Sequence, residues 1–220
     1  MIVDSMTFED VYNEIARDQA DLSLWWIEKR EEVAQMAKRR PNFPMTNWYE
    51  WVSPRNIRYL VWSKVYGRVY HKNAVTMFVA LRLTHDGFEA YVTRVAWQTF
   101  AEKRIILPHV FKRYKERAGV DKSGIELIKH FFEKNMNGKC VKNNELAGRS
   151  VRYNGETHIC ACFEEGVLLG QQRGNIFVER TFVTYEMATG LQKETFNFTH
   201  NNIEKDGKIF KDIRRLYGFN

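Results

Sequence analysis

The sequence predicts an α+β fold: a mostly antiparallel sheet with two central helices on one face, an N-terminal helical arm and a C-terminal helix. Three observations carry that expectation. Apolar residues recur at helical spacing between Thr7 and Arg40. From Arg58 onward, β-branched and aromatic residues gather in runs separated by His85-Asp86-Gly87 and Asn154-Gly155, which are hairpin-turn signals. Two helical stretches, Pro108 to Gly119 and Ser123 to Met136, interrupt those runs. With 220 residues, 44% hydrophobic and 28% charged, the chain is globular and can hold one large domain or a domain with an extension.

In the arm, Thr7 is placed to cap a helix whose first turn holds Glu9 and Asp10, where acids suit the helix dipole. Phe8, Val11, Tyr12 and Ile15 form its apolar stripe. Asp21-Leu22-Ser23 is the expected interruption. A second helix then carries Leu24, Trp25, Ile27, Val33 and Met36, and ends on Lys38-Arg39-Arg40. Pro41 and Pro44 punctuate the chain there, dividing an N-terminal helical arm, 1–44, from an α+β domain, 45–220. Trp48 and Trp51 have two readings: a surface on which nucleobases stack, or the packed join between arm and sheet.

Tyr59 to Tyr66, Val75 to Thr84 and Phe88 to Trp97 read as strands. Arg82 and Arg94 are the polar exceptions and mark a solvent-facing or binding side. Ile105-Ile106-Leu107 leads into the first central helix. Ser123 and Glu126 have capping-box spacing for the second, whose apolar face is Ile125, Ile128, Phe131 and Phe132. Lys129 and His130 are expected on its outer side, with Asn137-Gly138 ending it. Ser150 to Tyr153, Thr157 to Phe163 and Val167 to Gln172 follow as strands. In Ile176 to Tyr185, strict alternation puts Phe177, Glu179, Thr181, Val183 and Tyr185 on one face. Ile203 to Tyr217 reads as the C-terminal helix, and Thr189 to Asn201 carries no clear signal.

The central helix organises the functional reading. Pro108 suits the first helical position and Gly119 the stop. His109, Arg113 and Arg117 recur every four residues, as one slowly drifting stripe. Arg117 falls beside the apolar stripe of Val110, Phe111, Tyr114 and Ala118, so it requires a carboxylate, carbonyl or phosphate partner. This His-x3-Arg-x3-Arg pattern resembles the first helix of small RelE/BrnT-type toxin ribonucleases. Ser123 to Met136 corresponds to their second helix, and Thr181-Phe182-Val183-Thr184-Tyr185-Glu186 to their late strand. The similarity spans Ile105 to Glu186. It departs at Ala118, where the family has a Gly; here Gly119 comes one residue later.

The resemblance implies metal-independent RNA cleavage, with no cofactor, by His109, Arg113, Arg117, Thr184 and Tyr185. A base at His109 would take the 2′-hydroxyl proton, and the arginines would stabilise the charged phosphorane. Lys112, Lys115 and Arg180 would bind nucleic acid. RNA or another polyanion and a protein antitoxin are the implied partners. The competing reading is a non-catalytic nucleic-acid-binding or structural protein, in which Arg113 and Arg117 pair with Glu116, Glu133 or Glu179. The net charge of +7 favours polyanions without conferring specificity.

His158-x-Cys160-x-Cys162 has zinc-ligand types on one strand face, with His130 and Cys140 as distant candidates. Alternate side chains on a straight strand stand ~7 Å apart, so no metal site is expected. An odd cysteine count, no signal-like N-terminus and no membrane-length apolar run predict a soluble cytoplasmic protein without a membrane partner.

Overall fold

The computed structural model is described over residues 2–3, 5–68, 74–93, 103–135, 139–142, 157–190 and 192–201. It is α+β with mostly antiparallel strands, and it forms two compact units. One is mainly Met1–Thr84 with Ala90–Phe100, the other His85–Glu89 with Ala101–Tyr217. The Arg40–Pro44 break therefore falls inside the first unit.

The first unit holds α1 (Phe8–Arg17), α2 (Gln19–Arg39), β1 (Met45–Val52), β2 (Arg58–Val65), β3 (Val75–Thr84) and part of β4 (Gly87–Thr93), with the strands in that spatial order. The Thr7 hydroxyl accepts from the Asp10 N–H, and the Asp10 carboxylate accepts from the Thr7 N–H: a reciprocal cap. The break between α1 and α2 is at Asp18, not at the expected Asp21-Leu22-Ser23. Asp18 is fully buried, and its carboxylate accepts from Arg55 Nη1 at 2.7 Å and from the Tyr59 hydroxyl at 3.0 Å.

That turn sets the phase of α2. Leu22, Trp26, Val33 and Ala37 are buried, whereas Leu24, Ile27 and Met36 of the expected apolar set are exposed. Trp26 lies edge-on to Tyr49 and Phe78, with ring centroids 5.9 Å away in both cases. Trp25 stacks on Trp51 at 6.0 Å, so Trp51 packs the join between arm and sheet. Arg82 does not mark a solvent-facing side. It is buried, and its Nη1 donates to the Met6 carbonyl and the Tyr91 hydroxyl. Arg94 lies outside the described residues.

The second unit carries β5 (Lys103–Ile106), α3 (Pro108–Arg117), α4 (Gly124–Lys134), β6 (Lys139–Lys142), β7 (Thr157–Cys162), β8 (Val167–Arg173) and β9 (Ile176–Val183). The spatial order is β5-β9-β8-β7-β6, and β5 runs parallel to β9. A 3₁₀ turn, Tyr185–Met187, leads into a further helix, α5 (192–201), where the sequence carried no clear signal. The expected strand Ser150 to Tyr153, the Asn154-Gly155 turn, the Asn137-Gly138 stop and the helix Ile203 to Tyr217 lie outside the described residues. The capping box of α4 does not form: the Ser123 side chain makes no cap bond, and the Glu126 carboxylate takes Lys129 Nζ at 2.9 Å.

Helices cover both faces of this sheet. On one, Tyr114 packs on Phe182 and on Phe131, with ring centroids 5.2 and 5.1 Å away. On the other, Cys160, Cys162 and Val167 pack against Ala188 and Phe196, the latter from α5. The face expected from strict alternation along β9 is broken by a bulge. Leu169 pairs with Thr181 but Gly170 pairs with Glu179, so Arg180 is an extra residue. Thr181 and Val183 thus face away from Phe177 and Glu179. Gly170 makes this approach possible, because a Cβ there would overlap the Val178 carbonyl oxygen and stand 2.9 Å from the Glu179 Cα.

Candidate functional site

α3 is built as its composition requires. Pro108 opens it, and Gly119, at φ +66°, closes it, with the Val120 N–H donating back to the Lys115 carbonyl at 3.1 Å. Val110, Phe111 and Tyr114 are buried and anchor the helix. The opposite arc exposes His109, Lys112, Lys115 and Glu116, with Arg113 half-buried at its edge.

Arg113 Nε donates to His109 Nε2 at 3.2 Å, and Arg113 Nη1 reaches Glu116 Oε2 at 3.0 Å. Arginine can only donate, so His109 Nε2 is the lone-pair nitrogen in this arrangement. Arg117 is half-buried, and its Nη1 donates to the Phe182 main-chain carbonyl at the end of β9. The partner that its position demands is therefore a carbonyl. Thr184 sits at the start of the 3₁₀ turn, and its hydroxyl bonds the Glu186 carboxylate. That bond helps hold the Glu186 carboxyl below its ordinary range, after the larger contribution of the residue's own backbone N–H.

Tyr185 turns elsewhere. Its hydroxyl donates to the Phe163 carbonyl at 2.5 Å, and its ring packs against the Cys160, Cys162 and Val167 cluster, on the sheet face opposite α3. Burial pushes its phenol up. Arg180 is exposed at the bulge. The structure thus pairs His109 with Arg113 and fastens Arg117 to β9, while Tyr185 belongs to the α5 side.

Two polar contacts were not legible in the residue spacing. Glu179 is 1% exposed, and its Oε1 takes both Nε and Nη2 of Arg104, at 2.9 and 2.5 Å. Burial pushes the Glu179 carboxyl up, against the pull of Arg104. His130 does not project outward as expected: its ring lies against Tyr114, with Nδ1 3.0 Å from the phenol oxygen. Only the register of Ile106 against Glu179 and the buried stripe of α3 bring these partners together.

Cys160 and Cys162 are buried at 2% and 0% exposure among apolar side chains, as small hydrophobes. The side chains of Cys140 and His158 lie outside the described residues. Among the described residues, no three His, Cys, Asp or Glu side chains are grouped to hold a metal ion, and no helix is long and apolar enough to cross a membrane. No protein-family model, curated protein or solved structure matches the chain.

Proposed function

We propose that the second unit binds RNA through the exposed arc of α3, with Lys112, Arg113 and Lys115 on phosphates and Arg180 extending the surface. The observation that carries this reading is the charge of the helix. Lys112, Arg113, Lys115 and Arg117 stand against a single acid, Glu116, on a helix whose other side is firmly anchored. Such a surface neutralises phosphates without reading bases. The arrangement supports binding over cleavage, because Arg117 and Tyr185 are already engaged with main-chain carbonyls.

A second reading, metal-independent RNA cleavage by a RelE/BrnT-like unit controlled by a protein antitoxin, draws on the His109–Arg113 contact. It leaves an unprotonated Nε2 beside a guanidinium, as a general base beside a phosphate clamp would require. Fluorescence anisotropy of a labelled single-stranded RNA over a salt series tests the first reading. Changing both Lys112 and Lys115 to Gln should weaken binding and shrink the log–log salt slope by about 1.4, or about 0.7 per lost phosphate contact. No binding by the wild type, or a slope untouched by the variant, sinks the reading. Gel analysis of the same RNA decides the second. Cleavage abolished by His109→Ala supports it, and intact RNA with the wild type removes it.

A further inference from the structure

The Tyr114 hydroxyl is the hub of a polar cluster between α3, α4 and the turn joining β7 to β8. Tyr114 is 0% exposed. Its hydroxyl donates to Glu165 Oε2 at 2.5 Å and also lies 3.0 Å from His130 Nδ1. A phenol has one proton, and a carboxylate can only accept. With that proton on the Glu165 bond, the contact to His130 requires Nδ1–H to be the donor. The neutral imidazole then carries its lone pair on Nε2. His130 is partly exposed.

We propose that Glu165 and Tyr114 form a positioning relay that fixes His130 as the Nδ1–H tautomer and presents Nε2 as a proton-accepting site for a ligand's O–H or N–H group. The relay has the logic of a carboxylate orienting a catalytic imidazole, with a phenol inserted between the two. Burial, and then the bond to Glu165, push the Tyr114 phenol up, which keeps its single proton in place at neutral pH. Asn135 completes the cluster. Its amide also bonds the Tyr114 hydroxyl and donates to the Phe131 carbonyl, while its Oδ1 is buried without a partner. The lone pair on Nε2 accepts from a ligand's O–H or N–H and rejects a bare acceptor. This inference does not rest on the RNA reading, because none of these four residues lies on the exposed arc of α3.

The test is long-range ¹H–¹⁵N correlation on the full chain labelled at histidine, at a pH where the rings are neutral, with His130 assigned by its disappearance in His130→Gln. The expected spectrum has the proton on Nδ1 and a lone-pair shift at Nε2. In Glu165→Gln, the new amide can donate to the phenol oxygen, freeing the phenol proton to turn toward Nδ1. The tautomer balance should then move toward Nε2–H. A wild-type His130 in the Nε2–H form, or one balance common to both proteins, overturns the relay. Acylation by diethyl pyrocarbonate, mapped by peptide mass spectrometry, tests the presentation of Nε2. His130 should be modified in the wild type and several-fold more slowly in Glu165→Gln. A wild-type His130 that stays unmodified while exposed His109 reacts overturns the accepting site.

Discussion

Replacing Asp18 with alanine should cost the first unit about 2–4 kcal/mol. The carboxylate is fully buried and takes two donors, Arg55 at 2.7 Å and Tyr59 at 3.0 Å. Tyr59 is itself 0% exposed, so its hydroxyl would be stranded, at about 1–3 kcal/mol. The Arg55 side chain is 38% exposed and can rehydrate, so losing that contact adds only about 1 kcal/mol. Urea unfolding followed by tryptophan fluorescence is the appropriate assay. Trp25, Trp26, Trp48, Trp51 and Trp62 all lie in the first unit, and no tryptophan occurs between Ala101 and Tyr217. Tyr59→Phe provides the control. If the stranded hydroxyl dominates, adding Asp18→Ala to the Tyr59→Phe variant should cost about 1 kcal/mol or more less than adding it to the wild type. A single-variant effect below about 0.5 kcal/mol, or strict additivity, would refute the reasoning.

Arg117→Lys should lower stability by about 1 kcal/mol through loss of the guanidinium bond to the Phe182 carbonyl, while RNA affinity holds; a melting curve identical to wild type contradicts this. Gly170→Ala should destabilise the second unit by about 1–3 kcal/mol, because its Cβ meets the Val178 carbonyl; circular dichroism during urea unfolding reads it, and a neutral result would mean the bulge relaxes freely. Glu179→Gln should change the pH dependence of stability. The Glu179 carboxyl is raised in the folded state, so the unfolded chain ionises first. Wild-type stability therefore falls as pH rises from its unfolded value, about 4.3, through the higher folded one. The variant lacks that loss, and its stability relative to wild type should improve across this window; a pH-independent difference rules the effect out.

Local signals were readable wherever neighbours in sequence determine structure. The Thr7 cap, the His85-Asp86-Gly87 turn, the Pro108 to Gly119 helix and the β8–β9 run depend on residues a few positions apart. The phase of α2 was not readable, because Asp18 is held by Arg55 and Tyr59, far along the chain. The same applies to Arg82, whose polarity suggested solvent but whose partners come from Met6 and Tyr91. Ser123 had the right spacing to cap α4, yet Glu126 found Lys129 instead. In the candidate site, the need of Arg117 for a partner followed from helix geometry. Its identity as the Phe182 carbonyl required the position of β9. Tyr185 was grouped with Glu179 by counting in twos, and with α3 by the resemblance; the bulge invalidates the count.

The bulge separates two kinds of sequence change that are usually treated alike. Arg180 is exposed and unmatched across the ladder, so the fold itself asks little of its side chain. Nor does the fold depend on its presence. With that one residue removed, Glu179 and Thr181 become neighbours, and regular alternation keeps Phe177, Glu179 and Phe182 on one face and Thr181 and Val183 on the other, as they stand now. A residue added or lost elsewhere in β9 has the opposite effect, because it turns every later side chain to the wrong layer. The bulge is where this strand absorbs a change of length that the rest of it does not.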